Sequence, residues 1–163
     1  MLHVFAYGSN MCTQRIGARV AAADPIATGY VTHRRIAFHK SGIDGSAKAD
    51  AAYTGCAADR VWGVVFRLPD QDKPKLDACE SGYDDESIVV VAGSRLIAAQ
   101  IYTARAESID ESLLPFTWYH RFVIHGARQH RLPDEYIRQL QAIASVADLD
   151  CEREQRNSRI IGS

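Results

Sequence analysis

Two short stretches carry residue types that can do chemistry. In Tyr7-Gly8-Ser9-Asn10 an apolar segment stops at a glycine. Such a turn leaves several backbone N–H groups unpaired, and a nest of them holds a carboxylate or a developing oxyanion. The same four residues also make an ordinary turn. In Leu76-Asp77-Ala78-Cys79-Glu80-Ser81-Gly82-Tyr83 a carboxylate stands at the end of a polar, helix-like segment, close to a glycine. Taken by itself, Glu80 reads there as a solvated helix-end acid. Cys79 beside it, with His120, His125 and His130, offers a thiol–imidazole alternative. Residues five apart on a helix point about 140° apart, so these histidines make neither one metal-binding face nor an obvious base. Ser9 lacks the G-x-S-x-G elbow of a serine nucleophile.

The elements that must position these residues follow from the apolar pattern. Leu2 to Tyr7 reads as a buried strand ending at Gly8. Asn10 is placed to cap a short helical stretch from Cys12 to Arg19. Ile26 to His39 is rich in β-branched and aromatic residues, and Ser41 to Ser46 supplies turn chemistry. Ala49 to Thr54 and Val61 to Leu68 read as strands. Asp70 to Cys79 looks helical. Ser87 to Ala92 and Arg95 to Ala104 form a hairpin around Gly93-Ser94. Trp118 to Ala127 has apolar residues at helical spacing, and Pro133 opens a second helix carrying Tyr136, Ile137, Leu140 and Ile143. Cys151 to Ser163 is charged and reads as a mobile tail. Strands followed by helices give an α+β class, with about six strands in a small barrel and helices at its periphery and C-terminal end. The expected organisation is one domain over residues 1–150 and a flexible tail over 151–163.

Bulk composition excludes several functions. At 163 residues with a net charge of −1, the chain has no general attraction for nucleic acid or anionic membrane. No apolar run approaches the ~18 residues needed to span a bilayer. The opening residues lack the basic and long apolar regions of a secretory signal, so a cytoplasmic setting with reduced thiols is expected for Cys12, Cys56, Cys79 and Cys151.

The stretches together resemble the γ-glutamylcyclotransferase family, especially its small bacterial members. Phe5-Ala6-Tyr7-Gly8-Ser9-Asn10-Met11 resembles the family's opening. Further matches are Phe38-x-x-Ser41-x-x-Asp44-Gly45-Ser46-x-Lys48-Ala49, Val61-Trp62-Gly63-Val64-Val65-Phe66 and Leu76-Asp77-x-x-Glu80. The last are Pro115-x-x-Trp118-Tyr119 and Gly126-Ala127-Arg128-x-His130-x-Leu132-Pro133-x-x-Tyr136-Ile137. The blocks run in family order over roughly residues 5 to 140. The resemblance implies a compact fold of β-barrel plus helices. It implies cyclisation of a γ-glutamyl compound to 5-oxoproline with release of the attached amine or amino acid, without cofactor or metal, by a monomer or homodimer.

The resemblance also implies roles. Glu80 is the proton carrier, and Tyr7, Gly8, Ser9 and Asn10 cradle the glutamyl moiety. Tyr102 and Tyr119 match family tyrosines that either contact substrate or fill the barrel. An ordinary Glu is too acidic a base for an amine. Lifting its pKa from about 4.3 towards 7 needs roughly 3.7 kcal/mol of environment, for which Trp62 or Tyr83 is a candidate wall. Ser81, where many relatives have glycine, and the acids Asp84-Asp85-Glu86 depart from the pattern and leave the substrate open. The acids read either as a solvated turn or, if they face the mouth of the site, as disfavouring an acidic leaving portion. Two other readings stay open: a non-catalytic module binding γ-glutamyl or amino-acid-like ligands, and a γ-glutamylamine cyclotransferase acting on a specialised metabolite.

Overall fold

A computed structural model describes residues 1–162. Among the described residues are seven strands: β1 (Leu2–Ala6), β2 (Asp24–Thr32), β3 (Arg34–Ser41), β4 (Ala47–Tyr53), β5 (Arg60–Leu68), β6 (Tyr83–Ala92) and β7 (Arg95–Ala104). Five of them close a barrel in the order β1-β5-β2-β6-β7, while β3 and β4 form a separate two-stranded sheet. The expected barrel is thus present with five strands, and the two remaining strands make a side hairpin. Most barrel neighbours are antiparallel, but β7 closes onto β1 in parallel at Val4 and Gln100, so the barrel is mixed.

The apolar runs explain the closure. Val4, Phe5 and Ala6 on β1 and Val64, Val65 and Phe66 on β5 are all buried. Burying both faces suits strands that have barrel core on one side and helices on the other. The β3–β4 sheet is tied to the barrel by a polar bond: buried Asp50 accepts the Ala104 N–H at 2.9 Å. Its Oδ2 also bonds His39 Nε2 at 2.8 Å, which satisfies a carboxylate that would otherwise be costly to bury.

Among the described residues are also five helices: α1 (Thr13–Arg19), α2 (Lys73–Asp77), α3 (Thr117–Gln129), α4 (Asp134–Gln141) and α5 (Cys151–Gly162). On α3 the residues Trp118, Tyr119, Phe122, Val123, Gly126 and Ala127 are buried, the two-per-turn stripe of a helix laid on a core. Among the described residues no helix is long and apolar enough to cross a membrane.

The mobile tail expected after residue 150 is corrected by α5, which is a docked helix through Gly162. Two local features build it. Asp150 accepts the Arg153 N–H at 3.0 Å, an N-cap. Ile160 and Ile161 are half-buried against the main core. The charged composition hides both signals, because only two apolar side chains anchor the helix. Asp150→Ala is expected to cost about 1 kcal/mol. That is a fall of roughly 2–4 °C in Tm, read by differential scanning calorimetry.

The acids Asp84, Asp85 and Glu86 also differ from expectation. They lie in β6 and are ion-paired to Arg105, Lys73 and Arg34 respectively. Cross-strand and tertiary partners supply the compensation that a local reading of three consecutive acids does not contain.

Candidate active site

Glu80 sits on the tight turn between α2 and β6. Its N–H bonds Asp77 O at 3.0 Å, and its own carbonyl accepts the Tyr83 N–H at 3.2 Å. Leu76 anchors the preceding helix in a small cluster with Val4, Leu68 and Tyr102. Gly82 turns the chain at φ +81°, a conformation that a side chain at this position would strain. Lys40 Nζ donates to Ser81 O, fixing the other side of the turn.

The cradle turn is the 3-10 segment Ser9–Met11 after β1. Its internal donors are Met11 N, to Gly8 O, and Cys12 N, to Ser9 O. The N–H groups of Ser9 and Asn10 come before these and have no acceptor within the turn, as at the start of any helix. Asn10 caps nothing, contrary to expectation. It lies inside the turn and donates through Nδ2 to Glu80 Oε1 at 2.8 Å. Arg19 Nη1 bonds both Asn10 Oδ1 at 2.9 Å and Glu80 Oε1 at 3.1 Å. Both donors therefore hold the same carboxylate oxygen. Among the described residues Oε2 makes no hydrogen bond.

One cavity of about 370 Å³ joins these pieces. Tyr7, Gly8, Ser9, Asn10, Glu80, Tyr102 and Tyr119 all line it, so every site residue named from sequence is brought to one place. Among the candidate walls for Glu80, Tyr83 lines the cavity. Trp62 does not: it packs against Tyr30 with ring centroids 4.9 Å apart and planes tilted by 57°. Cys79 borders the cavity as an exposed thiol. His120 is turned away from it, with Nε2 bonded to Leu140 O at 2.7 Å.

The tyrosine hydroxyls are engaged with the protein. Tyr7 donates to Tyr102 O, and Tyr102 donates to Asp77 Oδ1 at 2.6 Å. Tyr83 donates to Ala49 O at 2.6 Å, and Tyr119 accepts the Ala49 N–H at 3.0 Å. Burial pushes the pKa values of Tyr7, Tyr83 and Tyr119 up, so all three stay neutral and act as walls and dipoles.

The sequence reading missed the cations. Among the described residues, Arg15, Arg19, Lys40, Lys48 and Arg153 line the cavity with two carboxylates, Glu80 and Asp44. Arg15 and Arg19 are four apart on α1, a spacing that puts them on one face and was legible in the sequence. Arg15 donates to Ser9 Oγ at 2.9 Å and lies over Phe122 at 4.5 Å. Burial pushes its pKa down to about 10, which leaves it charged at neutral pH.

Burial also governs Glu80. Desolvation raises its pKa above the ordinary value, and Arg19, the Asn10 hydrogen bond, Arg15 and Lys40 only partly offset this. Removing the Arg19 charge therefore takes away the largest opposing effect. We expect Arg19→Met to move the acid limb of the pH profile of kcat/KM to higher pH. That limb reports the free enzyme's base, which works only when ionised. A limb left in place, or moved to lower pH, would contradict the assignment of Glu80.

Among the described residues no three His, Cys, Asp or Glu side chains are grouped to hold a metal. The model of the AIG2-like family matches residues 60–140. Over 148 residues the chain is 28% identical to the γ-glutamylcyclotransferase of Homo sapiens, covering 85% of this chain and 77% of that one. The corresponding mouse protein (Mus musculus) is 29% identical over the same shares. A solved γ-glutamyl cyclotransferase structure superposes with a TM-score of 0.84 at 25% identity, covering 97% of this chain and 98% of that one.

Proposed function

From this similarity in sequence and fold to the γ-glutamylcyclotransferases, we propose that the chain cyclises a γ-glutamyl compound to 5-oxoproline and releases the attached amino acid or amine. The observation that carries the proposal is Glu80, held by two donors on Oε1 with Oε2 left for chemistry, in one cavity with the N–H groups of the cradle turn.

The reaction needs little from the protein beyond shape and proton handling. The substrate's α-nitrogen attacks its own γ-carbonyl carbon, so folding the glutamyl chain into a near-attack shape supplies much of the acceleration. The new C–N bond forms, the carbonyl oxygen becomes an oxyanion, and the old C–N bond then breaks. From the ammonium form, two protons leave the attacking nitrogen and two reach the departing one. Glu80 Oε2 carries them in turn, which a carboxylate with a raised pKa does better than an ordinary one. The N–H groups of Ser9 and Asn10 receive the oxyanion. Tyr7 and Tyr119 bound the glutamyl chain.

The charges lining the cavity favour a substrate that is itself anionic. Asp84, Asp85 and Glu86 do not oppose this strongly, because each is ion-paired, Asp85 through a lysine that it shares with Asp77. A cytoplasmic setting fits four thiols that stand apart from one another. The test is a panel of γ-glutamyl amino acids and γ-glutamyl amines, with 5-oxoproline and released amine both quantified. Equal molar formation of the two is expected for at least one member. Ligand binding without any 5-oxoproline would instead support a binding module.

A further inference from the structure

The glutamyl moiety is common to every substrate of such a cavity, so selectivity must come from the residues that meet the leaving portion. Two segments outside the turns that carry Glu80 and the cradle also line the cavity. The loop between β3 and β4 supplies one side, where Ile43 is almost fully exposed. α5 supplies the other through Arg153.

Arg153 is held by a bidentate pair. Nε donates to Asp148 Oδ2 at 2.6 Å, and Nη2 donates to Asp148 Oδ1 at 2.7 Å. Asp148 is buried and also accepts Trp118 Nε1 at 2.8 Å, so the anchor is fixed to α3. The guanidinium is thus clamped along one edge. Its Nη1 makes no hydrogen bond among the described residues, and the nearest other carboxylate to it, Asp150, is 3.8 Å away. Lys48, the neighbouring cation, is engaged with Asp44 at 2.8 Å and Ser46 at 3.0 Å. An arginine immobilised through one edge has little freedom left to lose. It presents fixed donors to an oxygen anion, which is how arginine reads carboxylates.

We infer that Arg153 is a specificity residue, selecting a leaving portion that carries a carboxylate. This rests on the cyclotransferase reading of the same cavity. The probes are γ-glutamylalanine and γ-glutamylethylamide, which differ by that carboxylate alone. Dissociation constants are measured in a Glu80→Gln background, and kcat/KM in the chain that keeps Glu80. The alanine compound is expected to bind better. Arg153→Met should reduce that preference about tenfold, as for loss of a charge-assisted hydrogen bond, and Arg153→Lys should retain part of it. The change should fall on KM rather than kcat.

A merely structural Arg153 would weaken both ligands together and leave their ratio unchanged, which overturns the inference, as does an absent preference at the start. If neither compound is turned over but the Arg153-dependent binding preference persists, the cyclotransferase reading fails and the role of Arg153 stands.

Discussion

Replacing Glu80 with glutamine is expected to lower 5-oxoproline formation by at least about 100-fold, the lower end for loss of a general acid–base. Glutamine keeps the size of the side chain and an oxygen for the donors of Asn10 and Arg19, but it cannot take or return a proton at Oε2. The loss should fall on kcat, since the cradle and the cations are untouched. Cys79→Ser run in parallel should turn over normally, because that thiol is exposed and, among the described residues, bonds only Lys75 O at 3.5 Å. Near-normal turnover by Glu80→Gln would end the proton-carrier assignment, and a loss in Cys79→Ser instead would point to the thiol.

The same substitution has a signature in stability. The folded-state pKa of Glu80 is raised, so the folded chain binds its proton more tightly than the unfolded chain. Stability from this group is then lost, not gained, as pH rises from the ordinary carboxylate value through the raised one. Glutamine resembles the protonated form at every pH. Relative to the native chain, Glu80→Gln should therefore gain in Tm as pH rises through that window. The advantage should be largest above the raised pKa and absent below about pH 4, where Glu80 is protonated in both states. Activity lost while stability rises is the pattern of a residue kept for chemistry.

Much of this arrangement was legible in the sequence, for reasons that also explain what was not. β1, β5 and α3 carry their own apolar periodicity, so they are local facts. The cradle turn is local too, since a strand that stops at Gly8 must turn there. Glu80 was legible only in company, because a helix-end carboxylate has no distinguishing local feature. Its meaning comes from Asn10 and Arg19, which lie 70 and 61 residues away along the chain. The ion pairs of Asp84, Asp85 and Glu86 are tertiary in the same sense. So is Arg153, whose anchor Asp148 is close in sequence, but whose place on the cavity depends on α5 docking through two half-buried isoleucines. Trp62 shows the reverse error: an aromatic residue in a matching block, directed to Tyr30 by the face of β5 on which it lies.

Gly126→Ala is the second large effect expected, and it links the fold to the cradle. A Cβ at this position on α3 would lie 2.5 Å from Cys12 N and 2.6 Å from the carbonyl carbon of Met11. Those are backbone atoms of the segment that follows Ser9 and Asn10, so no flexible side chain can move aside. Either α3 retreats from the core or the turn is displaced. Overpacking of this kind costs about 1–3 kcal/mol, which for a chain of this size is a fall in Tm of roughly 6–12 °C at the upper end of that range. KM should rise as well, because the N–H groups of Ser9 and Asn10 move with the turn. Gly17→Ala is the matched control. It lies in α1 with nothing within 4 Å of a new Cβ, so the same methyl should stabilise the helix by up to about 1 kcal/mol. A Tm for Gly126→Ala within a degree of the native chain would mean that α3 does not set the position of the cradle. Opposite signs for the two glycines, with KM raised in Gly126→Ala alone, would tie the shape of the cavity to the contact of α3 with Met11 and Cys12.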